Sequence, residues 1–237
     1  MSLVIWGGRM FRSSRVLWAA EELNLTYEHK DISSRDGSTQ TTEFLKLNPA
    51  GKIPVLQHGS FVLNESAAIA TYLFEEFGHL RGADTKTRAE SSALCHFVMS
   101  ELDAQSLYIH RKHVGLPDTY GEAPVAVAAA EAYFRKNVKA VAKRLEVSGG
   151  PFLMGAALGP SDCILGHCLF WAALVQWLDW DNATLVRYMQ HISVRPAFRK
   201  VYGVMPPFQS VIDRLGPPSA GGGGGGRGGG PTWRTKL

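Results

Sequence analysis

A few short stretches of this chain carry groups that can do chemistry. Glu65-Ser66 stands where an apolar run, Phe61-Val62-Leu63, gives way to a helical pattern with Ala68, Ile69, Tyr72 and Leu73 on one side. A strand-to-helix junction aims free N–H groups and the positive end of the helix dipole at a ligand. Ser66 can hold a carboxylate there, and Glu65 can meet an amine. Pro54 lies between two strand-like residues, Ile53 and Val55. A cis Ile53–Pro54 bond would turn the backbone and leave the Ile53 N–H and C=O free at a strand edge, where an extended peptide pairs as an added strand. A small peptide with a free α-amine and α-carboxylate at one end suits this arrangement. A third stretch, Gly8-Arg9-Met10-Phe11-Arg12-Ser13-Ser14-Arg15-Val16, offers two hydroxyls and several cations at the start of a helix. Ser13 or Ser14 can cap that helix. In His110-Arg111-Lys112-His113 two imidazoles stand three residues apart, with Asp103 seven residues before His110. A metal site wants more ligands and a second shell of partners, so no metal is expected and the stretch reads as a solvated basic helix face.

The elements that must position these groups fall into three parts. Residues 1–80 read as Leu3-Val4-Ile5-Trp6, a buried strand; a helix with Val16, Ala19, Ala20 and Leu23, stopped at Asn24; a strand over 26–30; a short helix over 43–46; then Ile53–Leu56 and Phe61–Leu63, joined by Gln57-His58-Gly59-Ser60 as an antiparallel hairpin; and the helix after Ser66. The order is β-α-β, then an α-linked ββα, which predicts a small sheet with helices on both faces. Residues 84–215 contain no convincing strand. Helical patterns cover 86–114, 123–147, 161–179 and 183–203, punctuated by Gly149-Gly150-Pro151 and Gly159-Pro160. Residues 216–237 hold an unbroken glycine run from Gly221 to Gly226 and are expected to be a disordered tail, since they cannot bury enough apolar surface to offset their ordering entropy.

Composition narrows the function classes. The formal net charge is +4, but Arg227, Arg234 and Lys236 of the tail contribute +3 with no acid beside them, so taking +3 from +4 leaves +1 for the rest. That balance implies no nucleic-acid surface. No apolar run is long enough to span a bilayer, and the N-terminus lacks a basic segment followed by a long apolar stretch. Three cysteines, Cys95, Cys163 and Cys168, none paired at C-x-x-C spacing, agree with a cytoplasmic address.

Asn48-Pro49-Ala50-Gly51-Lys52-Ile53-Pro54-Val55-Leu56 followed by Asn64-Glu65-Ser66-Ala67-Ala68-Ile69 resembles the glutathione transferase superfamily, in particular its bacterial-type cytosolic members, over roughly residues 3–205. Phe152-Leu153-Met154-Gly155 and Asp162-Cys163-Ile164-Leu165-Gly166-His167 resemble the family's buried-helix signature, with Gly159 at the cap position, Pro160 at the first helical position and Asp162 structural. The resemblance implies an α/β thioredoxin-like N-terminal domain plus an all-α C-terminal domain. It implies that Pro54 is cis, that Ile53 pairs with the cysteinyl backbone of glutathione, that Glu65 and Ser66 hold the γ-glutamyl end, and that Lys52 lies near the glycyl carboxylate. The family activates the thiol with a hydroxyl or thiol donor at the start of the first helix, assisted by the helix dipole. Related sequences often carry a serine where Phe11 stands, and Phe11 cannot donate. Ser13 is the first choice for that role, then Arg12 as a cation near the sulfur or the glycyl carboxylate; the alternative is that Ser13 and Ser14 only cap the helix. Phe11, Tyr108 and Arg111 are expected to border the acceptor cleft.

The reading that follows is an enzyme adding the glutathione thiolate to small, apolar electrophiles. An isomerase, dehalogenase or peroxidase on the same scaffold, and a non-catalytic binding module like the transferase-like domain of elongation factor 1 gamma, stand beside it. The resemblance also implies a homodimer through residues 66–77 and 84–114, where Ile69, Leu73, Phe77, Leu94, Phe97, Val98 and Leu102 exceed what one inward stripe needs.

Overall fold

The computed structural model describes residues 2–218. The glycine-rich tail from residue 219 onward lies outside the described residues.

The first half of the fold is a four-stranded sheet in the order β2-β1-β3-β4. β1 (Leu3–Trp6) pairs in parallel with β2 (Tyr27–Lys30), the two being connected through α1 (Ser13–Glu22). α2 (Thr42–Leu47), capped by the Thr41 hydroxyl, leads to β3 (Val55–His58), which lies antiparallel to β1 and to β4 (Phe61–Asn64). α3 (Ser66–Phe77) closes the unit. The sheet is mixed and thioredoxin-like, as the β-α-β-α-β-β-α order predicts. The hairpin is tighter than expected: Gln57 and His58 stay in the ladder, paired with Val4 and Leu3 on one side and with Val62 and Phe61 on the other. The Trp6 indole also donates to Gln57 Oε1 at 2.6 Å. Only Gly59-Ser60 is left to turn, with Gly59 at φ +61°. β3 begins after Pro54, which therefore needs no ladder N–H.

The remainder is helical: α4 (Thr85–Phe97), α5 (Tyr108–His110), α6 (Pro117–Tyr120), α7 (Pro124–Val147), α8 (Pro160–Leu174), α9 (Ala183–Ser193), α10 (Pro196–Tyr202) and α11 (Pro206–Leu215). α4 runs without a break through π turns at Val98–Leu107, α5 and a second π stretch at Arg111–Gly115. Two expectations need correction. Helix 161–179 stops at Leu174, because Gln176 takes φ +65° and Trp177 N–H turns back to the Ala172 carbonyl. Helix 183–203 is two helices, because Pro196 has no N–H to continue the first and instead opens the second. α11, with Phe208, Val211, Ile212 and Leu215 buried at helical spacing, escaped the sequence reading. Among the described residues no helix is long and apolar enough to cross a membrane.

One hydrophobic core runs through both halves, from Ile5 and Leu56 on the sheet to Ile192, Phe198 and Leu215. α1 is its shared wall. Trp18 is fully buried and meets Phe198 edge-on at 4.9 Å between ring centroids. Its indole N–H donates to Glu22, whose carboxylate takes both arms of Arg195 at 2.7 and 2.6 Å. Ile69, Leu73, Val98 and Leu102, offered above as interface residues, are buried in this core; of that set only Phe77, Leu94 and Phe97 keep exposed surface. Asp162 joins the helical half together. It accepts from the Leu153 and Gly159 N–H groups and from Tyr188, and burial pushes its carboxyl up to about 6 against the pull of those bonds. Gly159 has no side chain, so only the Asp162 half of a capping box exists.

Gly166 lets α8 approach α1. A Cβ there would stand 2.8 Å from Trp18 Cζ3 and 2.8 Å from Ile192 Cδ1. Alanine in an unconstrained helix interior is worth about 1 kcal/mol over glycine, and overpacking costs about 1–3 kcal/mol. We expect Gly166→Ala to lower the melting temperature in spite of its better helix propensity; a melting curve at or above that of the parent would show that α8 and α1 are not in hard contact.

Candidate functional site

The chemistry-bearing stretches converge where the β1–α1 loop, the β3 entry and the β4–α3 junction meet the long α4 helix. Asn48, nearly buried, folds the entry to β3: its Nδ2 donates to the Lys52 carbonyl at 2.7 Å and its Oδ1 accepts from the Ala50 N–H at 3.1 Å. Gly51 turns this loop at φ +61°. Ile53–Pro54 is cis, with Ile53 half-buried, Pro54 buried and Lys52 exposed. The Ile53 N–H and C=O make no hydrogen bond among the described residues, so an extended ligand can take both.

Glu65 precedes α3 at φ +69° and ψ 117°, a conformation uncommon for a residue with a Cβ. It turns an exposed carboxylate out at the junction, while Ser66 is buried at the first helical position. Ser66 Oγ accepts from Arg15 Nη1 at 3.3 Å. Accepting from a guanidinium leaves the hydroxyl proton free to donate, and a carboxylate at the α3 N-terminus is the acceptor that placement suits.

Arg15 is the residue the sequence reading missed. It is fully buried, and its Nη2 donates to the carboxylate of Asp103, which is also fully buried. Arg12 grips the same carboxylate with two arms, Nε to Oδ2 at 2.8 Å and Nη2 to Oδ1. Burial alone would raise the Asp103 carboxyl, but the Arg15 and Arg12 charges outweigh it and hold it well below the usual carboxylate range. Burial works against Arg12 too, and Asp103 still holds it above its ordinary value. Arg12 is thus committed to Asp103 rather than free to meet a ligand sulfur or carboxylate. The available signal was pattern: Arg15 lies on the apolar stripe of α1 with Trp18 and Ala19, and a charge there needs a buried partner.

Neither serine caps α1. Ser14 Oγ donates to the Arg9 carbonyl, and Arg12, at the cap position, makes no side-chain cap. Ser13 Oγ is buried with no hydrogen-bond partner among the described residues. It lies against Gly7, whose φ of +131° and lack of a Cβ make room for it beside Ile53. All three cysteines are free and buried, Cys168 Sγ accepts from Arg15 Nη2 at 3.5 Å, and burial pushes Cys95 and Cys168 up to about 12.

Tyr108 and Arg111 come together beside Arg12, and Phe11 joins them through Arg35, whose charge acts on Arg111. The Tyr108 ring has Arg12 at 4.5 Å, Lys112 at 5.2 Å and Arg111 at 5.4 Å from its centroid, and Arg35 lies 5.6 Å from that of Phe11. His110 and His113 go separate ways: His110 meets Trp177 edge-on, and His113 Nδ1 bonds the Gly121 carbonyl. His167 is a core histidine paired with Tyr202.

Comparison with known proteins gives this geometry its family. The model of the glutathione S-transferase N-terminal domain matches residues 1–75. Glutathione S-transferase 4 of Zea mays is 32% identical over 208 residues, 81% of this chain and 88% of that protein. The theta-class glutathione S-transferase of Xanthomonas axonopodis pv. citri, solved with glutathione bound, superposes with a TM-score of 0.71 at 23% identity over 84% of this chain and 96% of its own. A delta-class glutathione transferase of Nilaparvata lugens gives 0.74 at 22% identity over 90% and 99%. The chain belongs to the glutathione S-transferase family.

Removing one partner from a buried ion pair costs about 3–5 kcal/mol. Asp103→Asn should therefore lower the melting temperature strongly at pH 7. The folded carboxyl is held below its unfolded value of about 3.9, so its stabilisation is full above that pH and is lost as pH falls through the folded value. The gap between parent and variant should narrow below about pH 4. Melting curves at several pH values check this; a gap that stays constant into acid would mean Asp103 is not held ionised.

Proposed function

We propose that the protein binds glutathione and transfers its thiolate to small electrophiles. The observation that carries this reading is the pairing of an unbonded Ile53 backbone edge beside cis Pro54 with the strained Glu65 and the Arg15-polarised Ser66 at the start of α3. The cysteinyl backbone pairs with Ile53, the γ-glutamyl carboxylate sits on Ser66 and the α3 N-terminus, its amine meets Glu65, and exposed Lys52 reaches the glycyl carboxylate. The glutathione bound in the Xanthomonas relative supports that choice of ligand.

The sulfur then lies near the start of α1. A thiolate there meets the positive end of the helix dipole, and Ser13, with an uncommitted hydroxyl, is the donor proposed for it. Ser13 is covered by Gly7 and Ile53, so the sulfur must lodge against that pair to be reached. Activation lowers the thiol from its ordinary value near 8.5. The thiolate forms the new C–S bond to the acceptor while the leaving group departs with the bonding pair. The free, buried cysteines support a cytoplasmic address.

Glutathione at about 100 times its dissociation constant should stabilise the protein by about 2.7 kcal/mol, raising the melting temperature by several degrees. Glu65→Ala or Ser66→Ala should cost about 1.5–3 kcal/mol of binding, more than Ser13→Ala, which acts on the sulfur. Calorimetry in which glutathione leaves the melting curve unmoved would remove this function, and the reverse order of variants would place the peptide differently.

We also propose a homodimer through α3 and α4. Phe61, 46% exposed, and Phe77, 37% exposed, join Tyr72 and His58 in one aromatic patch beside the α3 face. Leu94 and Phe97 line an apolar groove against Ala140 and Val141. A two-fold contact uses each residue twice and must bury more than about 1,000 Å² to be stable. Light scattering at micromolar concentration should give about twice the 25.9 kDa chain mass; the single-chain mass would exclude a stable dimer.

A further inference from the structure

The acceptor side of the cleft is not the apolar surface that the family resemblance implies. Its rings, Phe11 and Tyr108, are interleaved with cations. Arg35 lies over Phe11, and Arg12, Arg111 and Lys112 surround Tyr108. Lys112 reaches a further ring, Tyr120, at 5.6 Å. Of these cations only Arg12 is neutralised, by Asp103. Among the described residues no acid forms an ion pair with Arg35, Arg111 or Lys112. The acids nearest Arg35 in sequence are otherwise placed, since Asp36 accepts from Ser38 and Asp31 lies beside Gly8, and Asp118, nearest to Arg111 and Lys112, forms an ion pair with neither. Residues 219–237 contain no Asp or Glu. Burial pulls Arg111 below the ordinary guanidinium range, and the Arg12 and Arg35 charges lower it further. Arg111 and Lys112 are half-buried and Arg35 is exposed beside them; cations gathered without a counter-ion gain from an anion placed between them. Guanidinium forks match a carboxylate, and flat rings match a flat partner.

We propose that Arg35, Arg111 and Lys112, with Phe11 and Tyr108, form a subsite for the anionic group of a planar aromatic electrophile, so that the preferred acceptor carries a carboxylate. This rests on the transferase reading, and it names the acceptor that reading leaves open. For a chloronitroarene the step balances simply. The glutathione thiolate attacks the ring carbon bearing chlorine, the C–S bond forms, the C–Cl bond breaks, and chloride leaves with the bonding pair while the thiol proton passes to solvent.

The test uses two pairs of probes on the full-length protein. In binding, 3,5-dinitrobenzoate is compared with 1,3-dinitrobenzene by calorimetry, with and without saturating glutathione. In turnover, 4-chloro-3,5-dinitrobenzoate is compared with 1-chloro-2,4-dinitrobenzene, each normalised to its uncatalysed rate. We expect the benzoate to bind at least 10-fold tighter and to be favoured in kcat/KM. Both preferences should fall several-fold in Arg35→Gln and in Arg111→Gln, and should weaken as salt rises. Arg35 is on an exposed loop, so its variant reads the subsite even where Arg111→Gln fails to fold. Equal affinity for the two probes, or a preference that survives Arg35→Gln, overturns the proposal. Displacement of dinitrobenzoate by glutathione also overturns it, because the cluster then serves glutathione's own carboxylates. A benzoate preference in a protein that glutathione does not stabilise keeps the anion subsite and removes only the transferase reading.

Discussion

The site depends on one buried carboxylate. Asp103 is fully enclosed, and two arginines close on it, Arg12 just before α1 and the fully enclosed Arg15 within it. A lone charge in that position would cost several kcal/mol, and each partner is what makes the other tolerable. Because Arg12 and Arg15 come from the sheet half and Asp103 from the helical half, the pair also fixes how the two halves meet. The same Arg15 reaches Ser66 with its other arm. The domain junction and the orientation of the hydroxyl at the α3 N-terminus are thus set by a single guanidinium. A lysine offers no such fork, since its three donors radiate from one atom. The arrangement has a cost: Arg15 Nε is buried with no hydrogen-bond partner among the described residues.

Asp103 occupies its place through an unusual stretch of helix. It lies inside the π turns of Val98–Leu107, where the Tyr108 N–H reaches back five residues to the Asp103 carbonyl. The Ser106 hydroxyl donates to the Glu101 carbonyl at the same spacing. A π turn holds more residues than an α turn, so it rotates the faces that follow it. After the first π run come Tyr108 and Arg111, both on the cleft side near Arg12. Local departures from regular helix are frequent at functional sites, and here the departure carries both the buried acid and the acceptor-side ring.

What the sequence disclosed about this site follows the range of the interactions. Ile53-Pro54 and Glu65-Ser66 are local devices: a turn, a strand edge and a helix start, each specified by neighbours within a few residues. They were readable for that reason, and so was the β-α-β-α-β-β-α order, which rests on short apolar runs and turn residues. The Arg15–Asp103 pair spans 88 positions, and nothing near either residue announces the other. The break at Pro196 was hidden because the apolar pattern continues across it on both sides. The capping alternative for Ser13 and Ser14 went astray for a further reason. A serine near a helix start is a good cap by propensity, yet here Gly7 leaves a gap that draws the Ser13 hydroxyl inward, and the Arg9 carbonyl captures that of Ser14.

The charge balance of the cleft bears on the residue that is missing from it. Phe11 stands where the family resemblance implies a hydroxyl, and a phenyl ring cannot stabilise a thiolate by hydrogen bonding. Five cations, Arg12, Arg15, Arg35, Arg111 and Lys112, gather around this loop and the helix facing it, with Asp103 as the one acid paired among them. A positive surplus in a partly buried cleft favours any anion that enters, because water screens it poorly there. In the function proposed above, a bound thiol is drawn toward its thiolate by the same physics that draws in a carboxylate. Replacing a hydroxyl by Phe11 removes one directed donor but adds a ring on which Arg35 rests. The field of several cations is less directional than one hydrogen bond, and it acts on both reactants at once. The proposed thiolate formation and the proposed choice of acceptor are therefore coupled through the same charges, whereas a single serine donor would act on the sulfur alone.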